Sequence, residues 1–202
     1  MNIIKEKFKY NEIEICFIGD FHIGARAFSK KGLNRAIKYI LSKPNRYVIG
    51  MGDMVDAITV KDKRFHLEEL DERLGWINDQ YAKLSIYLEK IKHKIIGLLI
   101  GNHGTKLAMQ TMNYAMKQIC NDLDVYFLGD TAIVEVELKN GKSYKIHCSH
   151  GYGGGYTLGA MVNRILREEM IIRECSVVAM GHSHKLFCFP YPVGLYFGTL
   201  FP

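Results

Sequence analysis

Near its lysine-rich start, residues 1–10, the sequence lacks an apolar run of the length that a signal-peptide core or a membrane span requires. The first such run, 13–18, is too short for either, and a cytoplasmic protein is expected. The five cysteines (Cys16, Cys120, Cys148, Cys175, Cys188) are odd in number and contain no Cys-x-x-Cys. That pattern excludes a disulfide framework and a zinc knuckle, and leaves reduced residues in apolar runs. No internal repeat, low-complexity tract or linker interrupts the chain, so residues 1–202 are expected to form one domain. Acidic side chains are missing from one long stretch. None occurs between Phe21 and Gly52, where Arg26, Lys30, Lys31, Arg35, Lys38, Lys43 and Arg46 all fall. With a formal net charge of +6, that segment favours an anionic partner.

What is present is a composition of 48% hydrophobic and 24% charged residues, that of a soluble globular protein with one substantial core. Residues 13–18 read as a strand stopped by Gly19. Leu33, Ala36, Ile37, Ile40 and Leu41 then repeat at helical spacing before Pro44, with Lys30, Lys31, Arg35 and Lys38 off that face, as solvated surface or as an anion-binding face. Tyr47-Val48-Ile49 is a second strand and 95–100 a third. Between them, 65–91 is expected to be the longest helix. Its seam of Leu74, Ile77, Tyr81, Leu84, Leu88 and Ile91 is too short for a coiled coil, so packing on the protein's own sheet is expected. The mixed-charge stretch 61–73 before it is expected to be a solvated insertion or lid. A further helix is expected over 106–122. After it the period changes to two: Val134, Val136 and Leu138, then Asn140-Gly141, then Tyr144, Ile146 and Cys148 describe an antiparallel hairpin.

A glycine cluster at 151–155 opens another amphipathic helix through Leu158, Met161, Val162, Ile165 and Leu166. It is not a Walker or dinucleotide fingerprint, and serves either as a turn or as a phosphate cradle. Strands are expected at 176–180, 185–189 and 194–201, and the chain closes on the apolar Leu200-Phe201-Pro202, an edge strand or the stump of a longer protein. The sum is an α/β (α+β) protein with two packed mixed sheets flanked by helices.

Five segments share one form, an apolar run that breaks at Gly or Ser and then offers Asp, Asn or His: Gly19-Asp20-Phe21-His22, Gly52-Asp53-Met54-Val55-Asp56, Gly101-Asn102-His103-Gly104, Ser149-His150-Gly151 and Gly181-His182-Ser183-His184. The third is expected to be a loop after its strand. Loops at the carboxyl ends of strands converge in α/β sheets, so Asp20, His22, Asp53, Asn102, His150, His182 and His184 are expected in one cleft. Imidazoles mixed with oxygen donors suit Mn, Fe, Zn or Ni better than Ca or Mg.

In order and spacing these segments resemble the calcineurin-like metallophosphoesterases, whose pattern is Asp-x-His, Gly-Asp-x-x-Asp, Gly-Asn-His-(Asp/Glu), a lone His, then Gly-His-x-His. Compact prokaryotic and phage-type members are most similar. The resemblance spans residues 20–184 and implies a four-layer α/β/β/α sandwich. It also implies two divalent metals, manganese first, with Asp20, His22, Asp53 and His184 holding one and Asp53, Asn102, His150 and His182 the other. A metal-bridged hydroxide would attack phosphorus in line. His103 would stabilise the pentacoordinate centre or protonate the leaving oxygen, and Asp56 would orient a ligand or tie its loop. Gly104 stands where the family has an acid, which implies slower or differently tuned catalysis without loss of metal.

The implied activity is a phosphodiesterase on nucleic acid or nucleotides, with Arg26 of the basic segment binding substrate. A phosphomonoesterase or protein phosphatase is the alternative within enzymes. The fold also serves as a non-catalytic scaffold subunit. No membrane partner is expected.

Overall fold

The structure is a computed structural model and describes residues 1–154, 157–171, 174–191 and 194–198. Among the described residues ten strands form two sheets. The four-stranded sheet comprises β2 (Glu14–Ile18), β3 (Arg46–Gly50), β4 (Ile95–Leu99) and β5 (Tyr126–Gly129), all parallel and in chain order. β1 (Asn2–Lys7), β6 (Thr131–Glu137), β7 (Ser143–Ser149), β8 (Val177–Met180), β9 (Cys188–Tyr191) and β10 (Gly194–Gly198) make the six-stranded sheet in the order β1-β6-β7-β8-β10-β9. Only β6–β7 and β9–β10 pair antiparallel there.

Ile49, Met51, Ile96, Leu99 and Leu128 of the smaller sheet's side meet Ala132, Val134, Val136, Ile146, Cys148 and Ala179 of the larger sheet in one buried cluster. The hairpin alternation therefore faces inward, Val134 at 0% exposure, and Tyr144, opposite Val136 on the same face near the hairpin's open turn, is 41% exposed. The other face of the small sheet is covered by α1 (Lys30–Leu41), α2 (Ile77–Glu89) and α4 (Ala115–Leu123) through Leu33, Ile37, Ile40, Leu84, Leu88 and Ile119. α5 (Leu158–Ile171) lays Ile165 on Val178 and Met180 of the large sheet. The layers are helix, sheet, sheet, helix, as expected, but only the larger sheet is mixed, since helical crossovers join the strands of the smaller one and keep them parallel.

Several expectations need correction. The lysine-rich start, to which no element was assigned, is β1, an edge strand whose Lys5 and Lys7 pair with Glu135 and Glu137 of β6. Its alternation is weak because neither of its faces is deeply buried. The long helix expected over 65–91 is only α2. The preceding stretch is irregular with one short 3-10 turn at Leu67–Glu69, because no side chain there can bury a continuous apolar face. Tyr81, Leu84, Leu88 and Ile91 pack into the protein's own core. Instead of a loop and one helix at 106–122, β4 runs directly into α3 (Gly101–Thr111), which stops at a left-handed Met112 before α4 begins. Leu41, assigned to the apolar face of α1, is 43% exposed. The expected strands at 185–189 and 194–201 are β9 and β10, shifted or shortened, and the question of the apolar C-terminal end falls outside the described residues. All five cysteines are free. Among the described residues no helix is long and apolar enough to cross a membrane.

Candidate metal centre

Each of the five segments leaves a strand at its carboxyl end: Asp20 follows β2, Asp53 follows β3, Asn102 follows β4, His150 follows β7 and His182 follows β8. Strands of both sheets thus deliver their polar ends to one edge of the sandwich. The approach is close enough to demand glycine. Gly101 has φ +81° and a Cβ there would lie 2.3 Å from the Asp53 amide nitrogen; Gly52 has φ +91° and a Cβ there would lie 2.7 Å from His150 Nδ1. Eight non-glycine residues have positive φ among those described, and five of them are Asp20, His22, Asp53, His182 and His184. Such strain persists only where surrounding structure over-determines it, and it marks functional sites.

Asp53 is the hub. It is 2% exposed; its Oδ1 accepts the His103 N–H at 2.9 Å in the first turn of α3, and its Oδ2 lies 3.0 Å from His150 Nε2. Burial alone would raise its pKa, but the hydrogen bond and charge of His150, with His103 and His22 near, outweigh it and hold the carboxyl down to about 2. His150 donates Nδ1–H to the Met51 carbonyl at 2.7 Å, so Nε2 is the nitrogen turned inward, 2.9 Å from Asn102 Oδ1. His182 donates its main-chain N–H to Asp20 Oδ2 at 3.2 Å and its Nε2–H to the Gly153 carbonyl at 3.2 Å. Asp53, His150 and His182 present ligand atoms within 4.8 Å of one another.

A second set, Asp20, His22 and His184, is equally tight. Asp20 Oδ1 is buried with no hydrogen-bond partner; His184 Nε2 lies 3.5 Å from it and 3.3 Å from His22 Nε2. Burial pushes the Asp20 carboxyl up, the imidazoles of His150 and His184 acting against it. An orphaned carboxylate oxygen facing two imidazole nitrogens is what a divalent transition-metal ion satisfies, so the donor set fits a cation. The same test at the first set finds one carboxylate oxygen, one amide oxygen and an oriented imidazole, also lone-pair donors only.

His103, in the first turn of α3, donates Nδ1–H to the Asp56 carbonyl, and its Nε2 accepts from Arg64 Nη1 at 2.7 Å. Burial lowers its pKa, with Asp53 and the Asp56 carbonyl acting against that. Its ring also lies with His22 and Asp53 in a third close group. Asp56 therefore ties the loop and orients His103 through its main chain, while its carboxylate stands 3.7 Å from His22 Nδ1. Gly104 has little room to be otherwise: a Cβ would meet Ile100 Cγ1 at 2.8 Å. Arg64 is the residue that sequence reasoning missed. It lies in the stretch 61–73, expected to be a solvated insertion or lid, where Asp62 grips it through two oxygens at 3.2 and 2.9 Å and turns it to His103, and Lys106 joins the same carboxylate at 2.9 Å. No periodicity signals a loop that folds back over a site.

Arg26 is not brought to the cluster. It lies in a separate groove with Glu68, Asp71, Glu72 and Arg73. Of the other basic residues, Arg46 is 2% exposed and donates to Glu14 at 2.8 and 2.6 Å, so it is structural. Lys30, Lys31, Arg35 and Lys38 do line one shallow groove on the outer face of α1. Two grooves flank the cluster itself. One, of about 240 Å³, is lined by Asp20, His22 and His184 with Phe21, Phe28 and Ser29; the other, of about 660 Å³, by Asn102 and His150 with α3, β6 and β7. Before α5, Arg164 Nη1 donates to the Tyr152 and Gly153 carbonyls at 2.7 and 3.1 Å and ties that glycine stretch to the helix, while Gly155 lies outside the described residues.

Among solved structures, a single-mutant Vps29 from Entamoeba histolytica aligns with 91% of this chain and 72% of its own at a TM-score of 0.50 and 13% identity. The chain has the calcineurin-like metallophosphoesterase fold. A novel archaeal phosphodiesterase aligns with 91% of this metallophosphoesterase-fold chain and 81% of its own, at 0.49 and 16%. In sequence, the chain is 24% identical over 154 residues to the DNA polymerase II small subunit of Methanocaldococcus jannaschii, a match covering 66% of this chain and 25% of that protein. No family profile matches the chain.

Proposed function

We propose that this chain is a dinuclear metal-dependent phosphoesterase, and specifically a phosphodiesterase acting on nucleotides or nucleic acid. The observation that carries the reading is the convergence of Asp20, His22, Asp53, Asn102, His150, His182 and His184, two sets of lone-pair donors sharing one edge of the sandwich. Asp20, His22, Asp53 and His184 are assigned to one ion, and Asp53, Asn102, His150 and His182 to the other, with manganese the first metal to try. When bound, two such ions supply an activated water nucleophile near neutral pH and neutralise charge on the phosphoryl oxygens. The protein's part is to orient. The Met51 carbonyl fixes the His150 tautomer, and the Asp56 carbonyl fixes His103, whose Nε2 would stabilise the pentacoordinate centre or, once the ring has taken up a proton, deliver that proton to the leaving oxygen. Arg64 places a guanidinium on that same nitrogen, in reach of phosphoryl oxygens. A diester has two arms, and the two grooves beside the cluster favour it over a monoester. The basic outer face of α1 offers a track for a longer polyanion. The reduced cysteines support a cytoplasmic location.

A second reading, a subunit of a larger assembly, is favoured by the name of the polymerase relative. Hydrolysis of bis(p-nitrophenyl) phosphate and p-nitrophenyl phosphate, each with manganese and with chelator, separates the readings when bound metal is measured after desalting. The expected result is manganese-dependent cleavage with the diester preferred, falling at least about a hundredfold in Asp53→Asn. Retained metal without cleavage of either ester supports the subunit reading, and absence of metal overturns both the site and the activity.

A further inference from the structure

We propose that the cavity of about 660 Å³ beside Asn102 and His150 binds a nucleobase, and that Asp130 reads its N–H edge. The inference deepens the phosphodiesterase reading by naming what fills one of its two grooves. The volume falls within the range of pockets that hold small organic ligands. Asn102 and His150 of the cluster also line it, so a base seated there is joined through its ribose to a phosphate lying on the cluster. Its wall is largely apolar: Met109 of α3 contributes a thioether and Tyr152 a ring, and both stand open to solvent, at 75% and 52% exposure, with no core function to explain them. A thioether and an aromatic ring are surfaces on which a flat heterocycle packs.

The polar lining comprises Asn102, Ser149, His150 and the cations Lys106 and Arg167, together with two side-chain pairs that are pre-set by each other. Thr105 donates its hydroxyl to Asp130 Oδ1 at 2.7 Å, which orients the carboxylate at the mouth of β6. Thr131 Oγ1 and His147 Nε2 are likewise paired at 2.9 Å. An oriented carboxylate accepts hydrogen bonds only, and its two oxygens match two adjacent N–H donors. Guanine, with N1–H and the exocyclic amino group side by side, is the base that meets this requirement best.

The test uses guanosine itself, with chelator present, so that neither metal nor turnover enters. Carbon-13 methyl labelling of the methionines places a reporter at Met109 in the wall. Titration with guanosine is expected to move the Met109 methyl resonance saturably, while ribose leaves it unmoved. Asp130→Ala, at an exposed position, is expected to weaken guanosine about tenfold, the effect of losing a charge-assisted hydrogen bond, and Tyr152→Ala to weaken it as well. An unmoved Met109, equal responses to guanosine and ribose, or undiminished binding by both variants would overturn the proposal. Failure here leaves the hydrolysis assay free to succeed, and failure of hydrolysis leaves this binding free to be seen.

Discussion

Asp53 shows how much one residue carries. Its carboxylate ends the first turn of α3 by accepting the His103 N–H, meets His150, and sits on a backbone at φ 45° that an aspartate occupies only under constraint. The constraint is the neighbouring Gly101, whose missing Cβ leaves room for the Asp53 amide and carboxylate. Gly101→Ala is therefore expected to lower the unfolding free energy by at least about 1–3 kcal/mol in urea and to reduce metal uptake with it. Gly159→Ala is the control. A Cβ there meets nothing within 4 Å and the residue is in α5, so stability should rise by about 0.5 kcal/mol. Similar losses in both variants would refute the packing argument. The Asp and His ligand candidates could be read from the chain because glycine-broken strand ends repeat. Arg64 could not, because its position depends on Asp62 and on where a loop of mixed charge happens to return.

Elements were readable to the degree that burial is one-sided. α1 and the β6–β7 hairpin keep clean periods because each presents one face to a core and the other to water. The boundary between α3 and α4 was not readable, since Met112 is no helix breaker by type. Its backbone is left-handed at φ 55°, it closes α3 through its N–H to the Ala108 carbonyl at 2.8 Å, and its side chain is 88% exposed. An L-residue in that conformation costs what glycine does not. Met112→Gly is expected to stabilise the protein by about 1 kcal/mol, read as a rise in the urea midpoint at unchanged slope. A fall would mean that the methionine side chain makes contacts that outweigh backbone relief.

At the scale of the whole molecule, the six-stranded sheet buries a histidine outside the set of candidate ligands. His147 is 2% exposed, and burial pushes its imidazole down to about 4. In the unfolded chain it titrates near 6.5, so between those values the unfolded state binds one more proton. Stability is therefore lost as pH falls from about 6.5 toward 4, by up to roughly 3 kcal/mol from this group. Urea unfolding of wild type and His147→Gln over that window should give converging curves, with the wild type falling more steeply; parallel curves would show that His147 is not the source. The sequence by itself determined the layered α/β class, the inward faces of the main strands and helices, and the identity of the Asp, Asn and His ligand candidates, because these follow from local period and from residues adjacent in the chain. Tertiary structure decided what depends on distance across the chain. It made the N-terminal segment an edge strand, left Arg26 in a separate groove, buried Arg46 against Glu14, turned Arg64 onto His103, and opened a cavity beside Asn102 and His150. Side chains far apart in sequence meet only once the two sheets pack face to face, and no local pattern encodes that meeting.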